Sequence, residues 1–377
     1  MSNENPSPRT ILHIFGRMVR GGAEIRTIEL MRSIDPSQFK FEFCVLSGLP
    51  GELDEEILQL GGDIHFLKIG PDFPFKFRRL LQKKRFHTVH SHVFMASGLM
   101  LLLAAWEKVP VRVAHFRSTN DGKKNTLARR CKTMVMKYFL NRYASKIVSV
   151  SEAAMVSAWG TDWTFDSRCE VIYNGFDLSP FKGKPVPKEV RREFGLPEPC
   201  RLYIHVGRMT PAKNHRKLLA VFQQIGRLDP NARLLVVGRE DNQMGEELRQ
   251  QALALGVDGR VVFAGEREDV PRLLKAADLM LFPSLWEGLP GAVVESCAAG
   301  TPVLASHLAG IVEIKSVLDG LITCLPVDAP DQVWASTASE ICAKPSQNFR
   351  EEALDRIADS PFDLDNCKRK LLEIWSH

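Results

Sequence analysis

Nowhere in the chain do two cysteines form a C-x-x-C pair, and no cysteine clusters with histidine. The eight cysteines (44, 131, 169, 200, 297, 324, 342 and 367) are scattered. That excludes a dithiol redox motif or a zinc ribbon and suits reduced core thiols in a cytoplasmic protein. Long apolar runs are also missing. The longest, "MASGLMLLLAAW" at 95–106, falls short of the about 20 residues that cross a bilayer and reads as a buried helix. The start, "MSNENPSPRT", lacks the apolar segment of a secretory signal. There is no short-period repeat, no low-complexity tract and no recognised nucleic-acid-binding module, so nucleic acid is not an expected partner. G-x-G-x-x-G is absent, which disfavours a dinucleotide site. Asp-x-Asp and other metal-ligand spacings are absent too.

What is present is an ordinary globular composition, 45% apolar and 25% charged, over 377 residues. That length is too great for one core and predicts two domains. The net charge of +5 is uneven: residues 1–180 carry 25 Lys and Arg against 18 Asp and Glu, the remainder 25 against 27. A basic first half predicts an anionic partner there. Its cations concentrate in two acid-free segments, "FKFRRLLQKKRFH" (75–87) and "KKNTLARRCKTMVMKYFLNRYASK" (123–146). In the second, Leu127, Cys131, Met134, Val135 and Tyr138 recur at helical spacing. Either this is a solvated helix packed on its sheet, or it is an interfacial surface for anionic lipid.

Short apolar strands alternate with helices through both halves, "TILHIFG", "FKFEFCVLS" and "VRVAHFRS" in the first, "RLYIHVGR", "ARLLVVGR" and "LMLFPS" in the second. This predicts α/β architecture with two doubly wound domains. The expected boundaries are 1–180, a Pro-, Gly- and charge-rich linker at 181–200, a second domain at 201–360, and a terminal helix at 361–377.

Three constellations carry chemistry. "FGRMVRGGAEIRT" places Gly21 and Gly22 before a helix, either as a plain turn or as a loop offering backbone N–H groups to an anion. "HVGRMTPAKNH" places Arg208 at a strand end and Lys213 before the next helix; the two are a solvated surface pair or the cations of a diphosphate site. "LWEGLPGAVVESCAAGTPV" (285–303) reads as loop, helix and strand. Glu287 lies in the loop at the carboxyl end of a strand, where ligands of open α/β sheets bind. Glu295 lies inside the helix among Val293, Val294 and Cys297. A nucleotide-sugar reconciles these features: its diphosphate needs cations and helix amides, and its two polyols need carboxylates. The loop 287–291 offers backbone N–H groups as well.

These residues resemble glycosyltransferase family 4, the retaining, nucleotide-sugar-dependent group with the GT-B fold. The motifs are "GGAE", "VSVSE" (148–152), "VIYNGFD" (171–177), "VGRMTPAKNH" (206–215) and "VVFAGEREDVPRLLKAADLMLFPSLWEGLPGAVVESCAAGTPV" (261–303). They span nearly the whole chain in order, and "ILHIFGRMVRGGAE" is closest to the capsule and exopolysaccharide type. The resemblance implies two Rossmann-like domains facing each other across a cleft, with the terminal helix crossing back to the first. It implies Arg208 and Lys213 on the diphosphate, Glu295 on the ribose, and Glu287 on the transferred sugar, with the backbone at Gly288, Leu289 and Pro290. Gly21 and Gly22 would cover the phosphates, and His115 matches a first-domain active-site histidine. It further implies retention of configuration, no metal or other cofactor, a UDP-sugar donor and a glycan or lipid-linked acceptor. The location would be cytoplasmic or peripheral on the membrane. A sugar-nucleotide epimerase and a non-catalytic sugar-nucleotide-binding protein are the alternatives.

Overall fold

Two parallel sheets form, each from its own set of βα units. The computed structural model describes residues 8–119, 126–240, 242–343 and 349–377. The chain divides into one unit of Met1–Phe176 with Pro361–His377 and a second of Asp177–Ser360.

The first unit holds β1 (Arg9–Phe15), β2 (Phe39–Val45), β3 (Asp63–Phe66), β4 (Thr88–Ser91), β5 (Val111–Phe116), β6 (Lys146–Ser149) and β7 (Cys169–Val171). Their order across the sheet is β3-β2-β1-β4-β5-β6-β7. Its strands read as continuous apolar runs because both faces are covered. On one face Leu12, Ile14, Val89, Ala114 and Phe116 pack against the helix Ser97–Trp106. On the other, Ile11, Phe15, Phe41, Phe43 and Val113 pack with Leu371, Ile374 and Trp375 of the last helix, Leu364–Ser376. Asp363 caps that helix by accepting from the Asp365 and Asn366 backbone N–H groups, satisfying donors left over at its first turn. Residues 361–377 therefore complete the first unit, where Phe176 N–H also donates to Phe362 O.

The second unit holds β8 (Leu202–Val206), β9 (Arg233–Val237), β10 (Val261–Gly265), β11 (Leu279–Phe282), β12 (Val303–Ser306) and β13 (Ile322–Leu325), in the order β10-β9-β8-β11-β12-β13. The expected linker at 181–200 is not one. Residues 187–193 form a helix (Pro187–Glu193) whose Val190 is buried, as are Phe181 and Leu196 beside it. Glu193 pairs with Arg267 at 2.7 Å and also with Arg272. Pro187 starts this helix and Gly195 takes the turn after it, while the sparse apolar residues anchor the stretch to the second unit.

Candidate active site

In the second unit the chain builds outward from β8 through β9 and β10, then returns to start β11 on the other flank of β8. Neighbouring strands whose following connections diverge leave a crevice at their carboxyl ends. The loops that follow β8 and β11 carry Arg208, Lys213 and Glu287, and the structure joins two of these, Lys213 and Glu287. The two loops are stitched together: Leu285 N–H donates to Ala212 O at 2.7 Å, and Asn214 Nδ2 donates to Pro283 O at 3.1 Å. Lys213 Nζ then lies 2.7 Å from Glu287 Oε1, both groups mostly shielded, and 4.6 Å from the centre of the Phe282 ring. Gly207 leaves the space for the lysine stem: a Cβ there would sit 3.0 Å from Lys213 Cε.

Arg208, in the same loop as Lys213, is exposed. The helix Gly291–Ala298 begins directly after the Glu287 loop, with Gly288, Leu289 and Pro290 buried beneath it. Gly310, in the helix Ala309–Val317, backs the same loop so closely that a Cβ would meet Gly288 O at 2.0 Å. Glu295 is half-buried rather than enclosed, because its side of the helix is not covered as those of Val293, Val294 and Cys297 are. Ser296 is buried, and its hydroxyl donates to Thr301 O at 2.9 Å. Beneath the crevice His205 and His215 stay neutral. Burial, then the charges around them, hold His205 well below its ordinary value and bring His215 down to about 4.

In the first unit, β1 and β4 are the diverging neighbours. Gly21 is buried and Gly22 exposed where the helix Gly22–Ser33 starts. His115, near the end of β5, is 3% exposed. It belongs to a stack of four histidines facing the terminal helix, and the stack's hydrogen bonds fix its tautomers. Arg117 Nε–H donates to His92 Nδ1 at 3.0 Å, so His92 carries its proton on Nε2 and donates to His13 Nδ1 at 3.1 Å. Trp375 Nε1–H donates to His90 Nδ1 at 3.1 Å, so His90 donates from Nε2 to His115 Nδ1 at 3.0 Å. Both chains of bonds end in a buried N–H with no partner among the described residues, His13 Nε2 and His115 Nε2. Burial, followed by neighbouring positive charge, pushes His13 down to about 3 and the other three well below the ordinary histidine range.

The family profile described as Glycosyltransferase Family 4 matches residues 20–180, and the one described as Glycosyl transferases group 1 matches residues 187–329. CapH of Staphylococcus aureus, a capsular polysaccharide biosynthesis glycosyltransferase, is 31% identical over 97% of this chain and 98% of its own. The chain belongs to glycosyltransferase family 4. The putative glycosyltransferase EpsF of Bacillus subtilis is 30% identical over 99% of this transferase and 97% of its own length. Among solved structures, HepE of Anabaena in complex with UDP and glucose matches with a TM-score of 0.79 at 21% identity, covering 98% of this chain and 99% of its own. WaaG, involved in lipopolysaccharide biosynthesis, matches at 0.75 and 16% identity, over 97% and 99%. These likenesses show the GT-B fold, with two Rossmann-like units.

Could this transferase hold a metal? Among the described residues one group has the proximity, His13, His90 and His92, whose ring nitrogens lie within 4.8 Å of one another. Its arrangement does not suit coordination. His90 and His92 are stacked at 4.5 Å and 16°, and His13 and His92 at 5.4 Å and 16°, so their lone pairs run side by side instead of converging on one point. Arg117, Trp375 and the rings themselves take those lone pairs in hydrogen bonds, and a guanidinium beside them repels a cation.

The two basic segments of the transferase differ. In the first, Lys76 pairs with Asp72, Arg78 with Glu107 and Lys84 with Glu42 and Asp63, so acids from outside the segment offset much of its charge. In the second, Lys123 and Lys124 lie outside the described residues. The helix Leu127–Tyr143 turns its apolar stripe away from the protein: Leu127 is 77% exposed and Met134 73%, with Cys131, Val135 and Tyr138 exposed beside them. The packed side uses a near backbone contact instead. A Cβ on Gly98 would lie 2.2 Å from Met136 O, so the helices meet with little side chain between them. A solvated helix packed on its sheet therefore leaves this exposed stripe unexplained, and Cys131 is not a core thiol.

Proposed function

We propose that the transferase moves a hexosyl group, with retention, from a nucleoside-diphosphate sugar to a glycan or lipid-linked acceptor in surface polysaccharide synthesis. A UDP-sugar is the first donor to test. The observation that carries this reading is the Lys213–Glu287 pair held across the β8/β11 crevice. An ammonium has three N–H donors, so Lys213 can keep Glu287 and still receive a phosphate oxygen. Arg208 would take the other phosphate. As the bond from the anomeric carbon to the phosphate oxygen breaks, negative charge grows on the leaving diphosphate, and preorganised cations stabilise that charge more than they stabilise the bound donor. Glu287, with the backbone at Gly288, Leu289 and Pro290, would bind sugar hydroxyls, and Glu295 the ribose. Gly21 and Gly22 would offer N–H groups to phosphate, and His115 its unpartnered Nε2–H to a donor hydroxyl. The acceptor hydroxyl attacks on the face the diphosphate leaves, and its proton passes to the departing phosphate oxygen. The name of CapH supports a polysaccharide product, and HepE with UDP and glucose supports the donor class.

Incubation with labelled UDP-sugars and a lipid-linked acceptor should release UDP and give a glycosylated product whose new linkage keeps the donor's anomeric configuration by NMR. Activity should persist in excess chelator. Loss with EDTA that a divalent ion restores would contradict a metal-free site. An isomerised donor would instead mark an epimerase, and an untouched donor a binding protein.

For the location, no helix among the described residues is long and apolar enough to cross a membrane. The 127–143 helix has an exposed apolar stripe and carries Arg129, Arg130, Lys132, Lys137 and Arg142 with no acid, a composition that favours lying in an anionic lipid interface. Met134→Glu with Leu127→Glu should abolish flotation with phosphatidylglycerol vesicles while leaving turnover on a water-soluble acceptor intact. Flotation equal to that of the unaltered protein would remove the helix from the membrane.

A further inference from the structure

Arg117 is a charged group whose environment is incomplete. It follows β5 and reaches back across the carboxyl edge of the first sheet. Its Nε–H donates to His92 Nδ1 at 3.0 Å, Nη1 donates to Asn174 Oδ1 at 2.9 Å, and Nη2 donates to Thr27 Oγ1 at 3.4 Å. All three acceptors are neutral, since the proton on His92 lies on the far nitrogen. No carboxylate forms an ion pair with Arg117 among the described residues, and only Cys367 and then Glu24 favour its charged form, each through charge alone. Burial lowers its pKa to about 10, yet the residue keeps some solvent exposure. A guanidinium has five N–H donors, and these contacts use three.

A desolvated cation without an anionic partner is costly, and truncating a buried pair exposes that cost. Here the three neutral acceptors aim the guanidinium, and no ion pair among the described residues neutralises it. Two N–H groups remain, which is the number a phosphoryl group accepts in fork geometry. The position also fits. His92 follows β4, and Thr27 lies on the helix that follows β1, so the group stands where the connections of β1 and β4 diverge, where ligands of open sheets bind. We infer that Arg117, aimed by His92, Asn174 and Thr27, is a phosphate-binding residue of the first unit. Its ligand is the phosphoryl group of a substrate, either the acceptor's or the donor's. The identity of the substrate rests on the glycosyl-transfer reading, but the anion site does not.

The test uses the full chain in a Lys213→Ala background, which weakens the other candidate phosphate site. Inorganic pyrophosphate should still raise the thermal midpoint. Adding Arg117→Gln should weaken that binding by about tenfold or more, and Arg117→Lys should keep part of it. In the otherwise unaltered chain, Arg117→Gln should raise KM more than it lowers kcat. A rise confined to the acceptor's KM assigns the site to the acceptor phosphate, and one confined to the donor's KM assigns it to the donor. A folded Arg117→Gln protein with unchanged pyrophosphate binding and unchanged KM values overturns the proposal. If that variant fails to fold, Asn174→Ala and Thr27→Val decide: each removes one bond that aims the guanidinium and should weaken pyrophosphate binding, and unchanged binding in both overturns the proposal. Pyrophosphate binding that depends on Arg117 in a protein showing no sugar transfer would keep the site and remove the transfer reading.

Discussion

Lys213→Ala is expected to lower turnover by about 10²–10³-fold, the loss typical of one preorganised donor facing developing negative charge. The lysine is held before any substrate arrives: Glu287 fixes its ammonium at 2.7 Å, the Phe282 ring lies against it, and Gly207 makes room for its stem. Little ordering remains to be done in the transition state, so most of the interaction is available to the reaction. Removing Lys213 has a second effect, because Glu287 then presents an uncompensated carboxylate to an incoming diphosphate. Donor affinity should therefore fall in Lys213→Ala and recover in part when Glu287→Ala is added. Turnover should stay low in the double variant, since the acid is proposed to hold the reacting sugar. Donor calorimetry and steady-state kinetics on the two single variants and the double variant read both effects. A Lys213→Ala enzyme turning over at the unaltered rate would exclude the lysine from the mechanism.

Acid is expected to unfold the first unit before the second. Four stacked histidines in the first unit and two in the second have pKa values held below the ordinary 6.5, His13 at about 3 and His215 at about 4. In the unfolded chain they titrate near the ordinary value. Between the folded and unfolded values the unfolded state binds more protons, so stability rises with pH and is lost as pH falls below about 6.5. Each such group contributes up to about 1.4 kcal/mol per pH unit, against a total stability of about 5–15 kcal/mol. Protonating His90 on Nδ1 also removes the acceptor of Trp375, so the 364–376 helix should lose protection early. Denaturant midpoints from pH 7.5 to 4.5, with hydrogen exchange across that helix, check this. A flat midpoint between pH 6.5 and 5 would mean the histidines do not titrate with unfolding.

Strand succession was readable because parallel strands buried on both faces are short apolar runs bounded by glycine and polar turns. β13 carries a weaker signal: "ITCL" is brief, mixed and only partly buried at the sheet edge. Residues 181–200 have a linker's composition yet belong to the second unit, because Pro and Gly occur inside a domain as well as between domains. Helical spacing found the stripe of the 127–143 helix but could not say which way it faces, since Gly98 decides that from another helix. At the site, Arg208, Lys213 and Glu287 were legible as residue types at strand ends. The Lys213–Glu287 pair spans 74 residues and needs the β8/β11 adjacency to be seen. The histidine stack left a trace in the sequence, since His90 and His92 alternate and His115 ends an apolar strand. Its register against His13 on β1 and its closure by Trp375 are tertiary facts.

That closure bears on biosynthesis. The second unit is continuous in sequence and is inserted between the body of the first unit and its last helix. On the ribosome the first unit emerges with Ile11, Phe39 and Phe41 in place, yet the helix bearing Trp375, which lies edge-on to Phe41 at 5.5 Å, is made only after the whole insert. At about 5–20 residues per second, that apolar face waits roughly 10–40 s for its cover. The insert can fold in the meantime, so the part translated first is the last to be completed.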